Sequence, residues 1–244
     1  MTPDTRPHPS LESTGPARPE PSVGRLRALG EIVASLAAFL IAAVLLGPLL
    51  GVPLAAVALF GGLIVATLFL RLAGRTWRSL GLALPSDPGS AAVGVLAVTL
   101  ICLGLVYAVL VPALEAAGLP PLDLSLIRQA VRGDPLTYTM TMIFVVWGSA
   151  AFAEELLFRG FVLNRLEAVF RGVPGELSLA VGAQALVFGL FHAYQGPVGI
   201  IVTGLVGIVM AVAYLRFDRN LWVPVLAHGT INSIAVTGLY VGWL

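Results

Sequence analysis

Long apolar segments dominate this sequence and restrict what it can fold into. A segment of about 20 mostly apolar residues is long enough to cross a bilayer as an α-helix. Seven segments meet that condition: Ile32–Leu50, Val52–Leu72, Ala91–Leu114, Leu136–Leu163, Leu177–Tyr194, Val198–Leu215 and Trp222–Trp243. The sequence therefore predicts an all-α, polytopic membrane protein with about seven transmembrane helices.

The composition excludes the soluble classes. Of the 244 residues, 58% are hydrophobic and 11% are charged, against roughly 25% charged in an ordinary soluble domain. The net charge of +1 indicates neither an acidic partner nor nucleic acid. The single cysteine, Cys102, cannot form an internal disulfide or supply a cysteine metal cluster.

The chain divides into three predicted regions. Residues 1–24 carry six prolines among Ser, Thr and Glu, and we expect a disordered tail rather than a signal peptide. Residues 25–135 hold the first three transmembrane helices and a polar loop at 120–135, in which a short interfacial helix is expected. Residues 136–244 form the core, and all candidate site residues lie there.

The arginines predict the orientation. All 14 basic residues are arginines, and cytoplasmic segments of membrane proteins carry an excess of them. With the amino terminus in the cytoplasm, the outside segments hold only Arg128 and Arg132. Eleven arginines then lie on the cytoplasmic side: Arg6, Arg18, Arg25, Arg27, Arg71, Arg75, Arg78, Arg165, Arg171, Arg216 and Arg219. We therefore expect the amino terminus inside and the carboxyl terminus outside.

The fourth segment contains charged side chains at membrane depth. Such groups are costly in lipid, so Glu154, Glu155 and Arg159 are functional candidates. Glu155 and Arg159 are i,i+4 neighbours in the favourable order, which predicts an ion pair that fixes helix packing. Glu154 lies about 100° away around the helix and lacks that partner. It is the candidate for general acid–base work, and a second ion-pair acceptor is the alternative.

Two later segments supply histidines. Phe188 and His192 share one helix face, and His228 and Asn232 share another, because each pair is four residues apart. Phe188 is predicted to be a packing wall. A lone histidine in a helix is usually a satisfied core residue. Two histidines and a glutamate on three helices of one apolar chain instead indicate a shared site.

These motifs carry a family resemblance. Glu-Glu-x-x-x-Arg, Phe-x-x-x-His and His-x-x-x-Asn, in this order on separate membrane helices, resemble the CPBP intramembrane endopeptidases, the family of the type II CAAX prenyl endopeptidase and its bacterial relatives. The resemblance covers about Glu154–Asn232. It implies a protease of the bacterial inner membrane that acts in the bilayer on a membrane protein or peptide, as in CAAX-box protein processing. It indicates no oligomeric state.

The resemblance also implies a role for each matching residue. Glu154 and His192 match the pair thought to activate water. His228 and Asn232 match the residues thought to polarise the scissile carbonyl. Glu155 and Arg159 would support them.

The sequence leaves metal dependence open. Glu154, His192 and His228 would form a His₂Glu set that suits catalytic zinc, with Glu155 as the base. However, the sequence has no His-Glu-x-x-His motif or other local zinc signature. The family has been described both as metalloproteases and as glutamic proteases. We expect metal-independent hydrolysis, with zinc as the alternative.

Two other functions compete with hydrolysis. A non-catalytic membrane scaffold, or a protein of the bacteriocin-immunity type, would retain the fold without the chemistry. A transporter would use the glutamates and histidines to relay protons, and transporters usually contain two similar inverted halves. Here the buried charges cluster in the carboxyl-terminal half, which disfavours the transporter.

One expectation concerns depth. At about 1.5 Å per residue, Glu154 lies about 15 Å from the inner end of its segment, taken at Asn164, and His192 about 22 Å from Leu177. Residues of one site must lie at one depth. A helix tilt, an inner extension of the fifth helix or a dent in the bilayer would close the gap. Gly196-Pro197 would also allow the fifth helix to end in protein-lined space.

Overall fold

The computed structural model describes residues 23–50, 52–131 and 133–243. The disordered tail is predicted for residues 1–24, and residues 1–22 lie outside the described residues. Within the described ranges the chain forms helices and no strand, which confirms the all-α fold. The helices are α1 (Arg25–Leu50), α2 (Val52–Leu72), α3 (Pro88–Ala116), α4 (Ser125–Val131), α5 (Pro135–Phe170), α6 (Glu176–Phe191), α7 (Gly196–Arg216) and α8 (Trp222–Val241).

Within the described ranges, four helical stretches are long and apolar enough to cross a membrane. They are Arg25–Leu46 in α1, all of α3, all of α5, and Ala193–Arg216, which contains α7. Val57–Leu72 in α2 and the whole of α6 are apolar but shorter. Large apolar side chains face outward along these helices, for example Ile64 and Leu105. The chain is therefore an integral, multi-pass membrane protein, and a helix corresponds to each of the seven predicted segments.

Several helix ends differ from the prediction. Helix α5 continues to Phe170, beyond the expected end at Leu163, because Leu163 and Leu166 keep one apolar face buried. Helix α6 ends at Phe191 rather than Tyr194. A short 3-10 turn, Ala193–Gln195, then leads directly into α7. Gly196 has a φ of +77°, a conformation that favours glycine, so the break falls there.

The extended α5 accounts for the discrepancy in depth. Helices α5 and α6 run on together to a turn at residues 171–175. At about 1.5 Å per residue, Glu154 lies about 24 Å from Phe170, and His192 lies about 24 Å from Glu176. The Phe158 and Phe188 rings, 5.0 Å apart, hold the two helices in this register. The expected inner extension of the fifth segment is wrong, since α6 begins at Glu176; the fourth segment is extended instead, to Phe170, and this brings both residues to one level.

The remaining helices pack around α5. Helices α1 and α2 pair with each other and both contact α5. Helix α8 lies between α5 and α3. Helices α6 and α7 form a close hairpin: a Cβ on Gly189 would lie 2.5 Å from the Ile200 carbonyl oxygen, so a larger residue would separate them. Helix α5 thereby lies within reach of α6 and α8, which carry the two predicted site histidines.

Candidate active site

The two glutamates lie at an irregularity of α5. Thr141–Ala153 and Leu156–Val162 form wider π-helical turns on either side of Glu154 and Glu155. Such turns are rare and frequently occur at functional sites. They change the angle between successive side chains relative to a regular α-helix. No proline marks the irregularity, so the sequence gives no signal for it.

Glu155 lies at the centre of a buried polar cluster. Its Oε1 atom accepts hydrogen bonds from Arg159 Nη1 at 2.9 Å and from His228 Nδ1 at 2.7 Å. Glu155 and Arg159 are fully buried, and His228 is 6% exposed. The predicted ion pair between Glu155 and Arg159 is therefore present. The hydrogen bond between Glu155 and His228 joins α5 to α8.

Arg159 holds three elements together. In addition to Glu155, its Nη2 donates to the Gly207 carbonyl oxygen on α7 at 3.4 Å. Its guanidinium carbon lies 4.3 Å from the centre of the Phe188 ring on α6. Phe188 is buried and also packs against His192 and Phe158, as expected of a packing wall. Arg159 thus fixes α6 and α7 relative to the glutamates.

The hydrogen bonds define the tautomers of both histidines. His192 Nδ1 lies 2.9 Å from the Phe188 carbonyl oxygen. A carbonyl oxygen only accepts, so this nitrogen carries the proton. His228 Nδ1 likewise donates to the carboxylate of Glu155. In the neutral form, both imidazoles therefore keep Nε2 as a hydrogen-bond acceptor.

Glu154 differs from its neighbour. It is half-buried and forms no ion pair in the described part of the chain. Its Oε2 atom is buried and has no hydrogen-bond partner there. The carboxyl interacts electrostatically with His192, His228, Glu155 and Arg159. An unpartnered carboxylate oxygen near two imidazoles is an arrangement suited to holding and deprotonating a small polar molecule such as water.

Asn232 is the predicted site residue with the fewest contacts. It lies on α8 one turn after His228, is half-buried, and makes no side-chain hydrogen bond to the described residues. The structure thus brings Glu154, Glu155, Arg159, His192 and His228 into one cluster. It leaves the Asn232 amide unengaged by that cluster.

Sequence reasoning missed two residues beside the site. The Tyr194 ring lies 5.9 Å from the His192 ring, and its phenol interacts electrostatically with Glu154. Gln195 Nε2 donates to the Tyr194 hydroxyl at 3.1 Å. Both belong to the turn that ends α6. The only signal was the position of Tyr-Gln-Gly directly after the histidine motif.

The predicted zinc ligands do not form a metal centre in this structure. Among the described residues, no three His, Cys, Asp or Glu side chains are arranged to hold a metal ion. Both Nδ1 atoms are engaged in hydrogen bonds, and Arg159 and His228 occupy Glu155 Oε1. These hydrogen bonds leave the Nε2 atoms of both histidines and Glu154 Oε2 without a partner among the described residues, so metal-independent hydrolysis and the zinc alternative both stay predictions.

The fold and the site define a helical membrane protein with a buried carboxylate–imidazole centre. The family model described as type II CAAX prenyl endopeptidase Rce1-like matches residues 136–234, from α5 into α8. The match supports the family resemblance that the three motifs predict, over 99 of the 244 residues. This is a protease family, so the match supports a CAAX-protease-like endopeptidase. Searches of curated proteins and of solved structures gave no match.

Proposed function

We propose that this chain is an intramembrane endopeptidase in which Glu154 and His192 activate a water molecule. One observation carries the proposal: the buried, unpartnered Oε2 of Glu154 lies in the same cluster as two imidazoles. The family match supports peptide-bond hydrolysis as the reaction. Family membership alone would allow a scaffold, whereas an unpartnered carboxylate is costly to retain without a use.

The first step is attack by water. Glu154 Oε2 accepts one proton of the water, and His192 Nε2 accepts a hydrogen bond from the other. As the water oxygen bonds to the scissile carbonyl carbon, the first proton passes to Glu154. The carbonyl π-electron pair moves to its oxygen. Glu154 then gives the proton to the leaving nitrogen, the oxyanion pair re-forms the carbonyl, and the C–N bond breaks with its electron pair on nitrogen.

The remaining cluster residues support this step. His228 and Asn232, one turn apart on α8, face the scissile carbonyl in the proposed site. The Glu155 carboxylate orients His228 and stabilises positive charge on it, as a carboxylate does for a catalytic histidine in other hydrolases. Arg159 holds Glu155 in place, and the Phe188 ring excludes water from that side.

We also propose that hydrolysis is metal-independent, of the glutamic-protease type. The described side chains around Glu154 provide a proton acceptor and hydrogen-bonded imidazoles, a set that activates water by acid–base chemistry alone.

The proposal extends to the membrane setting. Seven helices cross a bacterial inner membrane, with the amino terminus in the cytoplasm, and the substrate is a membrane protein or a peptide partitioned into the bilayer. The arginine distribution supports the orientation. The outward-facing apolar side chains support burial of these helices in lipid.

A cleavage assay tests the proposal. Purified full-length protein in lipid nanodiscs is incubated with internally quenched peptides that end in a CAAX sequence, with and without a farnesylated cysteine. Glu154→Gln is expected to lower kcat/KM by about 1,000-fold or more, since it removes the base. Glu167→Gln is the matched control, because it alters a partly exposed glutamate on the same helix.

Two results would contradict parts of the proposal. Cleavage by the Glu154→Gln variant at the parental rate would refute the role of Glu154. Loss of parental activity in 1,10-phenanthroline, with recovery on adding zinc, would refute metal independence while leaving the endopeptidase assignment intact.

A further inference from the structure

The proposed site contains more acceptors than donors. Glu154 Oε2 and the Nε2 atoms of neutral His192 and His228 all accept hydrogen bonds, because each Nδ1 proton is already donated elsewhere. These acceptors suit the attacking water. The carbonyl oxygen that becomes negative needs donors instead. A neutral His228 in this tautomer supplies none at Nε2, so until His228 is protonated the Asn232 amide is the donor that α8 offers to this oxygen.

Tyr194 has a hydroxyl proton beside this site. Its ring lies 5.9 Å from His192, and its phenol is close enough to the Glu154 carboxyl to interact with it electrostatically. The hydroxyl oxygen accepts a hydrogen bond from Gln195 Nε2. The hydroxyl proton has no acceptor among the described residues. Tyr194 is 49% exposed, so the group is accessible to a substrate.

The turn that carries Tyr194 is held in place. Gln195 is 8% exposed, and its backbone carbonyl accepts a hydrogen bond from the Asp123 amide at 3.1 Å. Its side chain holds the Tyr194 oxygen at 3.1 Å. The turn therefore connects α6 and α7 to the loop before α4. A donor fixed before the substrate arrives needs little reorganisation during the reaction.

We propose that Tyr194 is a further catalytic residue, whose hydroxyl donates a hydrogen bond to the oxyanion of the tetrahedral intermediate. This inference rests on the proposed endopeptidase function. The tyrosine keeps its proton throughout: the carbonyl π-electron pair moves to oxygen as the water bonds to carbon, and the phenol O–H points at that oxygen. Gln195 is a positioning residue that acts through the Tyr194 oxygen.

The test compares three variants in the nanodisc cleavage assay. Tyr194→Phe removes the hydroxyl and keeps the ring against His192. Gln195→Ala removes the hydrogen bond to the hydroxyl but keeps the donor. Tyr240→Phe removes a hydroxyl from the Tyr138–Tyr240 ring pair, which lies in a separate cluster of buried side chains. Each variant is assayed for kcat, KM and the inhibition constant of a phosphinic peptide that mimics the tetrahedral intermediate.

Tyr194→Phe is expected to lower kcat by about 10- to 100-fold with little change in KM, since an oxyanion donor acts mainly in the transition state. It should raise the inhibition constant of the phosphinic peptide by a similar factor. Gln195→Ala should cause a smaller loss of kcat, and Tyr240→Phe none.

Three results overturn the inference, and they are distinguishable. If parental cleavage depends on Glu154 but Tyr194→Phe retains the parental kcat and phosphinic-peptide affinity, Tyr194 is not a catalytic residue and the proposed function stands. If Tyr194→Phe and Gln195→Ala lose the same activity through a raised KM, the turn only shapes the site. A parent that cleaves neither peptide overturns the proposed function and this inference together.

Discussion

Helix α5 carries two buried arginines that are alike in their surroundings and different in their partners. Arg159 and Arg165 are both fully buried, and each guanidinium lies over a phenylalanine ring, at 4.3 Å and 4.7 Å. Arg159 pairs with Glu155 of its own helix. Arg165 Nε bonds to Glu31 on α1 at 2.5 Å. One arginine therefore lies in the proposed site, whereas the other connects α5 to the amino-terminal region.

The difference lies in how the carboxylates are used. Glu31 uses both oxygens, one for Arg165 and the other for Arg27. Glu154 and Glu155 each keep a buried Oε2 atom that has no partner within the described residues. Burial and ion pairing alone therefore do not mark a functional site. The proposed site differs from the Glu31 pair in having carboxylate oxygens without a partner among the described residues.

The strongest test of this comparison neutralises each carboxylate separately. Glu155→Gln leaves His228 without the charge that orients it, and kcat/KM should fall by about 100-fold or more. Glu31→Gln should leave the kcat/KM of folded protein within about 3-fold of the parental value, since Glu31 touches none of the site residues. Both are measured with the internally quenched peptides. Equal losses of kcat/KM in the two variants would show that the Glu155–Arg159 and Glu31–Arg165 pairs do not differ in function.

The second prediction concerns stability. Arg165→Met leaves the Glu31 carboxylate buried with only Arg27, and should lower the free energy of unfolding by about 3 kcal/mol. Adding Glu31→Leu should recover most of that loss, because an apolar pair of similar volume avoids the desolvation cost. Thermal unfolding in detergent measures both. A double variant no more stable than the single one would contradict the argument.

A third ion pair gives a smaller effect. Arg219 and Glu167 pair at 2.9 Å, but their side chains are 27% and 23% exposed. Arg219→Ala should therefore cost no more than about 1 kcal/mol, and less in 1 M salt, because exposed pairs are screened. Its kcat/KM should match the parental value. A loss of unfolding free energy as large as that of Arg165→Met would show that this exposed pair stabilises the fold as much as a buried one.

The smallest expected effect is at the start of α5. The Thr137 hydroxyl, followed by the Leu136 amide, holds the pKa of Asp134 below its ordinary value, and Asp134 caps the helix. A lowered pKa stabilises the fold above the unfolded-state pKa, and this stabilisation disappears as the pH falls through the folded-state pKa. Asp134→Ala should thus lower the unfolding temperature slightly at pH 7, and the effect should decrease as the pH falls through the folded-state pKa of Asp134. Unfolding scans over a series of pH values measure the difference.

The sequence predicted the helices better than their ends. Apolar length identified a helix for each of the seven segments, because that signal accumulates over about 20 residues. It placed the end of α5 at Leu163 because Asn164 and Arg165 are polar. Arg165 is nevertheless buried, since it forms an ion pair with Glu31 on another helix. The division at residues 24 and 135 and the membrane orientation stay predictions.

The site was predictable where its contacts are local. Glu155 and Arg159 are one turn apart, so helix geometry predicted their ion pair. Pairs formed between helices had no such signal: Glu155 and His228 are separated by 73 positions, and Glu31 and Arg165 by 134. The catalytic roles of Glu154, His192, His228 and Asn232 stay predictions until the variants are assayed.

The Glu31–Arg165 contact also bears on how this protein can be dissected. The segment that matches the family model begins at residue 136, yet one of its deepest charges is neutralised by a carboxylate contributed more than 100 residues upstream. A fragment trimmed to the family boundaries would lose that carboxylate and the two helices that cover this side of α5. The segment that matches the family model is therefore smaller than the set of helices that pack together in this chain.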